Sequence, residues 1–145
     1  MANPTARKFG YPHTLVAETD YWLVLVRPKQ ATYGSLVLIC KESATAFSAL
    51  SSQAFTDLGV VVAGVERVLK AVVGYDKINY VMLMMVDPDV HMHVFPRYDG
   101  TREHDGVVFR DAGWPGAPNL GEGVELTAEQ GQALANILSD VWTAA

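Results

Sequence analysis

The sequence predicts an α+β fold: an antiparallel sheet of about five strands, with one long helix and a C-terminal helix packed on it. Three observations predict it. Short β-branched and aromatic runs are joined by links well below the dozen residues that a parallel crossover needs. Two stretches carry apolar residues at alternating steps of three and four, the period of an amphipathic helix. The order β-β-β-α-β-β-α groups strands with strands, which favours antiparallel pairing. The 145 residues read as a single domain, 1–145, with its core at about 14–98 and a C-terminal extension at about 99–145. Half the residues are apolar and 19% are charged. That composition buries a core without a disulfide or structural metal.

The first ten residues read as frayed. Strands are expected over Thr14–Glu18 and Tyr21–Val26, the second ending before Pro28, which has no N–H to give a ladder. A turn, Lys29–Gly34, leads into Ser35–Lys41, apolar at almost every position and so central. Ser51 or Ser52 caps a helix of about five turns. Its stripe is Phe55, Leu58, Val62, Val65, Leu69 and Val72. Gly59 and Gly64 each cost this helix about 1 kcal/mol against alanine and suit a close approach to a sheet. Gly74 ends it. The apolar run Lys77–Val86 is expected as one strand and Val90–Pro96 as the next, joined by Asp87-Pro88-Asp89. Tyr98–Gly106 reads as a loop, Val107–Phe109 as a short strand and Gly113–Gly123 as irregular. Thr127–Gln130 is a capping box. It opens a last helix with Leu134, Ile137, Leu138 and Val141 on one face.

Eleven basic and 16 acidic residues give a net charge of -5, without a basic cluster. Broad nucleic-acid binding depends on neutralising many phosphates and is not expected. One small phosphate ester remains compatible. The longest apolar stretch, about eight residues around Leu58–Val65, falls far short of the roughly 20 of a membrane span. Two basic residues near the N-terminus have no apolar core behind them, so a secretory leader is not expected. The single cysteine, Cys40, lies in the apolar run Leu36–Cys40. It reads as a buried thiol in a cytoplasmic chain.

Chemistry concentrates in Asp87-Pro88-Asp89-Val90-His91-Met92-His93-Val94-Phe95-Pro96-Arg97. Strand alternation places Asp89, His91 and His93 on one face at a spacing of about 7 Å, with Val90, Met92 and Val94 on the other. On the residues alone three readings stay open. One is a solvent-facing strand edge. The second is a metal site with Asp89, His91 and His93 as ligands. The third is nucleophilic or acid–base chemistry by histidine. The remaining histidines, His13 and His104, read as surface loop residues.

The stretch Asp89–Arg97 resembles the signature of the histidine triad (HIT) superfamily: three histidines alternating with apolar residues, often followed by Pro-Arg. Pro96-Arg97 sets the register. His91 then matches the middle histidine, His93 the last, and Asp89 stands in place of the first. Trp22–Val26, the turn and the strand opening at Gly34-Ser35 are similar to the family's strand–turn–strand. The Ser51-opened helix and the strand through Asn79 follow in the family's order.

The resemblance implies a HIT-like fold, a nucleotide or dinucleotide ligand and a homodimer. It implies a nucleotide hydrolase or nucleotidyl transferase acting at the α-phosphorus of a phosphoanhydride or phosphoramidate, such as a dinucleoside polyphosphate. In that scheme His91 is the nucleophile of a nucleotidyl-histidine intermediate, and His93 holds a phosphate oxygen or helps the leaving group. No cofactor is required and no metal ligand is assigned; a divalent cation such as Mg²⁺ is compatible with the substrate. Three departures stand out. Asp89 is acceptor-only when ionised, favours a neighbouring imidazolium and repels phosphate. Ser35 stands where the family usually has a histidine. Arg27 stands where one branch has an asparagine, and can neutralise Asp89 or clamp a phosphate. The expected site is therefore His91, His93 and Asp89 as catalytic residues, with Arg27, Ser35, Asn79 and Arg97 on the substrate. The alternatives are a nucleotide-binding protein with little or no catalysis, or a metal-dependent enzyme using Asp89, His91 and His93.

Overall fold

The computed structural model describes residues 3–144. In chain order its elements are α1 (Pro4–Lys8), β1 (Leu15–Glu18), β2 (Trp22–Val26), β3 (Lys29–Gln30), β4 (Leu36–Cys40), α2 (Ser52–Val72), β5 (Lys77–Val81), β6 (His91–Arg97), β7 (Thr101–His104), β8 (Val107–Arg110), β9 (Val124–Glu125) and α3 (Ala128–Thr143). Five strands form one antiparallel sheet in the order β1-β2-β4-β6-β5. All five lie between Leu15 and Arg97, within the core expected from the sequence.

Alternation along the strands divides the buried side chains between two faces. Trp22, Val24, Val26, Leu36, Leu38, Cys40, Met92 and Val94 join the core shared with α2 and α3. Leu23, Leu25, Val37 and Ile39 form a second, smaller core with Ala6, packed by Phe9, Tyr11 and Leu15. With both faces covered, β2 and β4 are buried at every position, which is why their sequences run apolar instead of alternating. His91 and His93 pair with Ile39 and Val37 across β4. They therefore lie on the second face, beside the N-terminal segment.

That segment is not frayed. Asn3 caps α1 by accepting from the Ala6 N–H at 2.9 Å, and Pro4 takes the first turn. Thr5 and Ala6 are buried. Met1 and Ala2 lie outside the described residues.

The expected strand 77–86 stops at Val81, opposite His93. An apolar run does not by itself fix strand length. Beyond Val81 the chain leaves the ladder as a loop, residues 82–90, with Met84 at φ 52°. The loop leaves Met85 and Val86 85% and 82% exposed. Asp87-Pro88-Asp89 is thus one end of a longer link, and the pairing is antiparallel all the same.

The buried face of α2 differs from the expected stripe. Ala54, Val61, Val65, Val68 and Leu69 face inward, while Phe55 turns outward against Phe47. The Trp22 indole donates to the Ala54 carbonyl at 2.8 Å, so the helix lies on that ring through a small residue rather than a phenylalanine. Gly64 serves α3, not the sheet: a Cβ there would collide with the Trp142 ring. In α3 the capping box forms as expected, with Leu134 and Leu138 buried and Ile137 left 38% exposed. Part of the expected loop 98–106 is a strand. β7 and β8 form a hairpin whose Asp105-Gly106 turn has positive φ at both positions, as a two-residue type I′ connection requires. Two-residue strands β3 and β9 pair and tie the C-terminal stretch to the sheet's end. Residues 111–123 carry no helix or strand, in agreement with their glycine and proline content.

Candidate active site

His91 and His93 stand side by side on β6, their ring centres 5.3 Å apart and their planes 83° apart. Both are nearly buried, yet both line a cleft of about 280 Å³. The other lining residues are Lys8 and Phe9 from the N-terminal segment, Arg27 after β2, and Leu83, Met84, Met85, Val86 and Asp87 from the β5–β6 loop. The Phe9 ring packs edge-on to His93 at 5.7 Å and tilts over His91 at 6.2 Å.

Hydrogen bonds give the two imidazoles opposite tautomers. The His91 Nδ1 lies 2.7 Å from the backbone carbonyl of Asp89. A carbonyl only accepts, so Nδ1 carries the proton and Nε2 keeps its lone pair. The Nδ1 of His93 instead accepts from the Nε–H of Arg27 at 3.2 Å. A guanidinium only donates, so the proton of neutral His93 sits on Nε2. Burial, then the charges of Arg27 and His91, pull the His93 pKa from the usual 6.5 to about 4, against Asp87, which raises it. His93 is therefore neutral at pH 7. Burial also lowers the pKa of Arg27, opposed by Glu125, and arginine stays cationic under such a shift. Its guanidinium is fixed further by the Lys29 carbonyl at 2.8 Å and by the Phe95 ring, 5.5 Å from Cζ.

The structure brings together three of the seven residues expected at the site: His91, His93 and Arg27. Asp89 lies two residues before the first residue of β6 and is not part of the cleft lining. Its carboxylate turns to α1 and accepts from the Thr5 hydroxyl at 2.7 Å; only its carbonyl reaches His91. Ser35 is fully buried, and its hydroxyl donates to the Thr32 carbonyl at 2.7 Å, closing the turn before β4. Arg97 is buried against Asp111, Nε–Oδ2 2.7 Å and Nη2–Oδ1 3.0 Å, and donates to Asn79 at 2.7 Å and to the Gly116 carbonyl at 2.8 Å. Four of its donor directions are thus spent on the fold, and Asn79 is spent with it. Lys8 and Phe9 were not expected at the site. The signal for them was Asn3-Pro4, a helix cap followed by proline at the first position. Among the described residues no three His, Cys, Asp or Glu side chains cluster so as to hold a metal ion. No helix among them is long and apolar enough to cross a membrane.

The model of the HIT domain family matches residues 8–100, which include the whole sheet and both histidines. The chain belongs to the HIT family. A search of curated proteins finds no match. Solved HIT structures share the fold. A histidine triad protein from Marinobacter aquaeolei aligns with a TM-score of 0.75 at 20% identity, covering 99% of this chain and 96% of that one. One from Bradyrhizobium japonicum aligns at 0.73 and 21% identity, covering 97% and 96%. The diadenosine triphosphate hydrolase of Plasmodium falciparum aligns at 0.70 and 12% identity, covering 92% and 78%. Within this HIT domain the contact from position 89 to His91 is made by the main-chain carbonyl of Asp89.

Proposed function

We propose that this HIT protein is a nucleotide hydrolase or nucleotidyl transferase acting at the α-phosphorus of a nucleoside phosphoanhydride or phosphoramidate, with His91 as nucleophile. The observation that carries this reading is the opposed tautomers of the two cleft imidazoles, one with a lone pair on Nε2 and one with a proton there. A nucleotide ligand is in keeping with family membership and with the hydrolase among the similar structures.

In the first step the His91 Nε2 lone pair forms a bond to the α-phosphorus. The bond from phosphorus to the leaving oxygen or nitrogen breaks, and the leaving group takes that electron pair, a nitrogen leaving group together with a proton from solvent so that it departs as the amine. The imidazole becomes cationic as it is nucleotidylated, and its Nδ1–H tightens on the Asp89 carbonyl. The His93 Nε2–H donates to a non-bridging oxygen, where negative charge builds in the transition state. Arg27 orients His93 and keeps it neutral. In the second step water, or an acceptor alcohol in a transfer, attacks phosphorus from the opposite side. The phosphorus–nitrogen bond breaks, its electron pair returns to Nε2, and the attacking group loses its proton to solvent. Division into two displacements lowers the barrier of each. The mechanism needs no cofactor of the protein; Mg²⁺ would enter with a polyphosphate. Homodimer formation and a cytoplasmic location belong to the same proposal.

The test is release of nucleoside monophosphate from diadenosine polyphosphates, adenosine phosphoramidate and adenylyl sulfate, with and without chelator. Turnover that survives chelation and vanishes in His91→Asn is the expected result. A folded protein that binds AMP and turns over none of these substrates would overturn the enzymatic reading in favour of a binding protein.

A further inference from the structure

Among the described residues two cations line the cleft, and they are held differently. Arg27 is committed to His93 and to the Lys29 carbonyl. Lys8 is held by the loop, its Nζ donating to both carboxylate oxygens of Asp87 at 3.0 Å, and lies over the Phe9 ring, 5.9 Å from its centre. This pair bridges α1 and the β5–β6 loop, with the Lys8 side chain 52% exposed and that of Asp87 18% exposed. An ion pair so open to water is weak and exchangeable. Among the described residues Asp87 is also the only carboxylate lining the cleft, since Asp89 is engaged by Thr5 outside that lining.

We infer that Lys8 is a leaving-group subsite, at which the second phosphate of a polyphosphorylated nucleotide displaces Asp87 from the ammonium. This rests on the function proposed above and narrows its substrate class to nucleotides whose leaving group is itself a phosphate. A divalent or trivalent phosphate chain offers Lys8 more charge than one carboxylate does, so the exchange favours the substrate. A leaving group that departs as an amine gives Lys8 nothing to bind and leaves the Lys8–Asp87 pair closed. Asp87 thereby works as a built-in competitor. It lowers the affinity of the cleft for every anion and most of all for those with little charge.

The experiment compares kcat/KM for diadenosine tetraphosphate with that for adenosine phosphoramidate in wild type, Lys8→Ala, Lys8→Arg and Asp87→Asn. Titration calorimetry with inorganic tripolyphosphate on the same four proteins runs in parallel. Lys8→Ala should lower the ratio of polyphosphate to phosphoramidate turnover about tenfold or more, the worth of one charged hydrogen bond, and weaken tripolyphosphate by a similar factor. Lys8→Arg should restore the ratio, and Asp87→Asn should tighten tripolyphosphate. An unchanged ratio with unchanged tripolyphosphate affinity overturns the inference, as does an equal fall for both substrates. Should wild type turn over neither substrate, the proposed function fails by itself. The calorimetry then decides the anion site: weaker binding in Lys8→Ala upholds it, and equal binding or none in wild type sinks it.

Discussion

Acid should destabilise this protein through His93 in a way that one substitution can isolate. Unfolded, His93 takes up its proton as pH falls through 6.5. Folded, it resists protonation to about 4, because burial and Arg27 disfavour the imidazolium. Between those values the unfolded state binds more protons, so stability falls as pH drops from 6.5 to 4 and is regained as pH rises. At 1.36 kcal/mol per pH unit the full window is worth about 3 kcal/mol. For a chain of 145 residues, with an unfolding entropy near 0.3 kcal/mol/K, that is about 10 °C in Tm. The control is His93→Gln, whose amide supplies an acceptor for Arg27 and a donor for the cleft but does not titrate. Thermal melts of both proteins from pH 7.5 to 4 give the difference directly. Carboxylates and histidines that do not interact with His93 contribute equally to both curves and cancel. Wild type should lose about 3 kcal/mol more than the variant across the window. Parallel curves would refute the claim that the fold holds His93 neutral.

Other consequences follow from single contacts. Asp89→Asn leaves the carbonyl that meets His91 untouched, so kcat should change by less than about twofold, under 0.5 kcal/mol in the barrier; a large loss would mean that the carboxylate itself acts. Asp111→Asn strands the buried guanidinium of Arg97 and should cost about 3–5 kcal/mol in urea-melt stability; a cost below 1 kcal/mol would show that this ion pair does not anchor the C-terminal stretch. Gly64→Ala drives a methyl into the Trp142 ring, an overpacking cost of about 1–3 kcal/mol set against about 1 kcal/mol gained in helix propensity, so it should be neutral to about 2 kcal/mol destabilising, whereas the full gain of about 1 kcal/mol in stability would contradict the α2–α3 packing.

The sequence carried the sheet and both long helices, because strand alternation, capping and helical period are local properties. It also placed the histidine pair, since an i, i+2 spacing on a strand needs no tertiary knowledge. Tertiary partners decided the rest. The strand ends at Val81, opposite His93, which no feature of the run Lys77–Val86 reveals. Phe55 faces outward because the Trp22 ring sits beneath Ala54. Asp89 and His91 do not act through neighbouring side chains: a hydroxyl from Thr5, 84 positions away, turns the carboxylate aside. Arg97 and Asn79 looked available for substrate until Asp111 closed on the arginine. Lys8 and Phe9 enter the cleft only because α1 docks on the second face of the sheet. Residue type was legible at each of these positions; the direction of the side chain was not.

The central claim is that His91 forms a bond to phosphorus. It is tested most directly by rapid acid-free quench of wild type with a dinucleoside polyphosphate, followed by intact-mass and peptide mapping. The account predicts a transient adduct of one nucleoside monophosphate on His91, present within a single turnover, absent in His91→Asn and discharged by water. Full turnover with no adduct at any time, or an adduct on another residue, would contradict it.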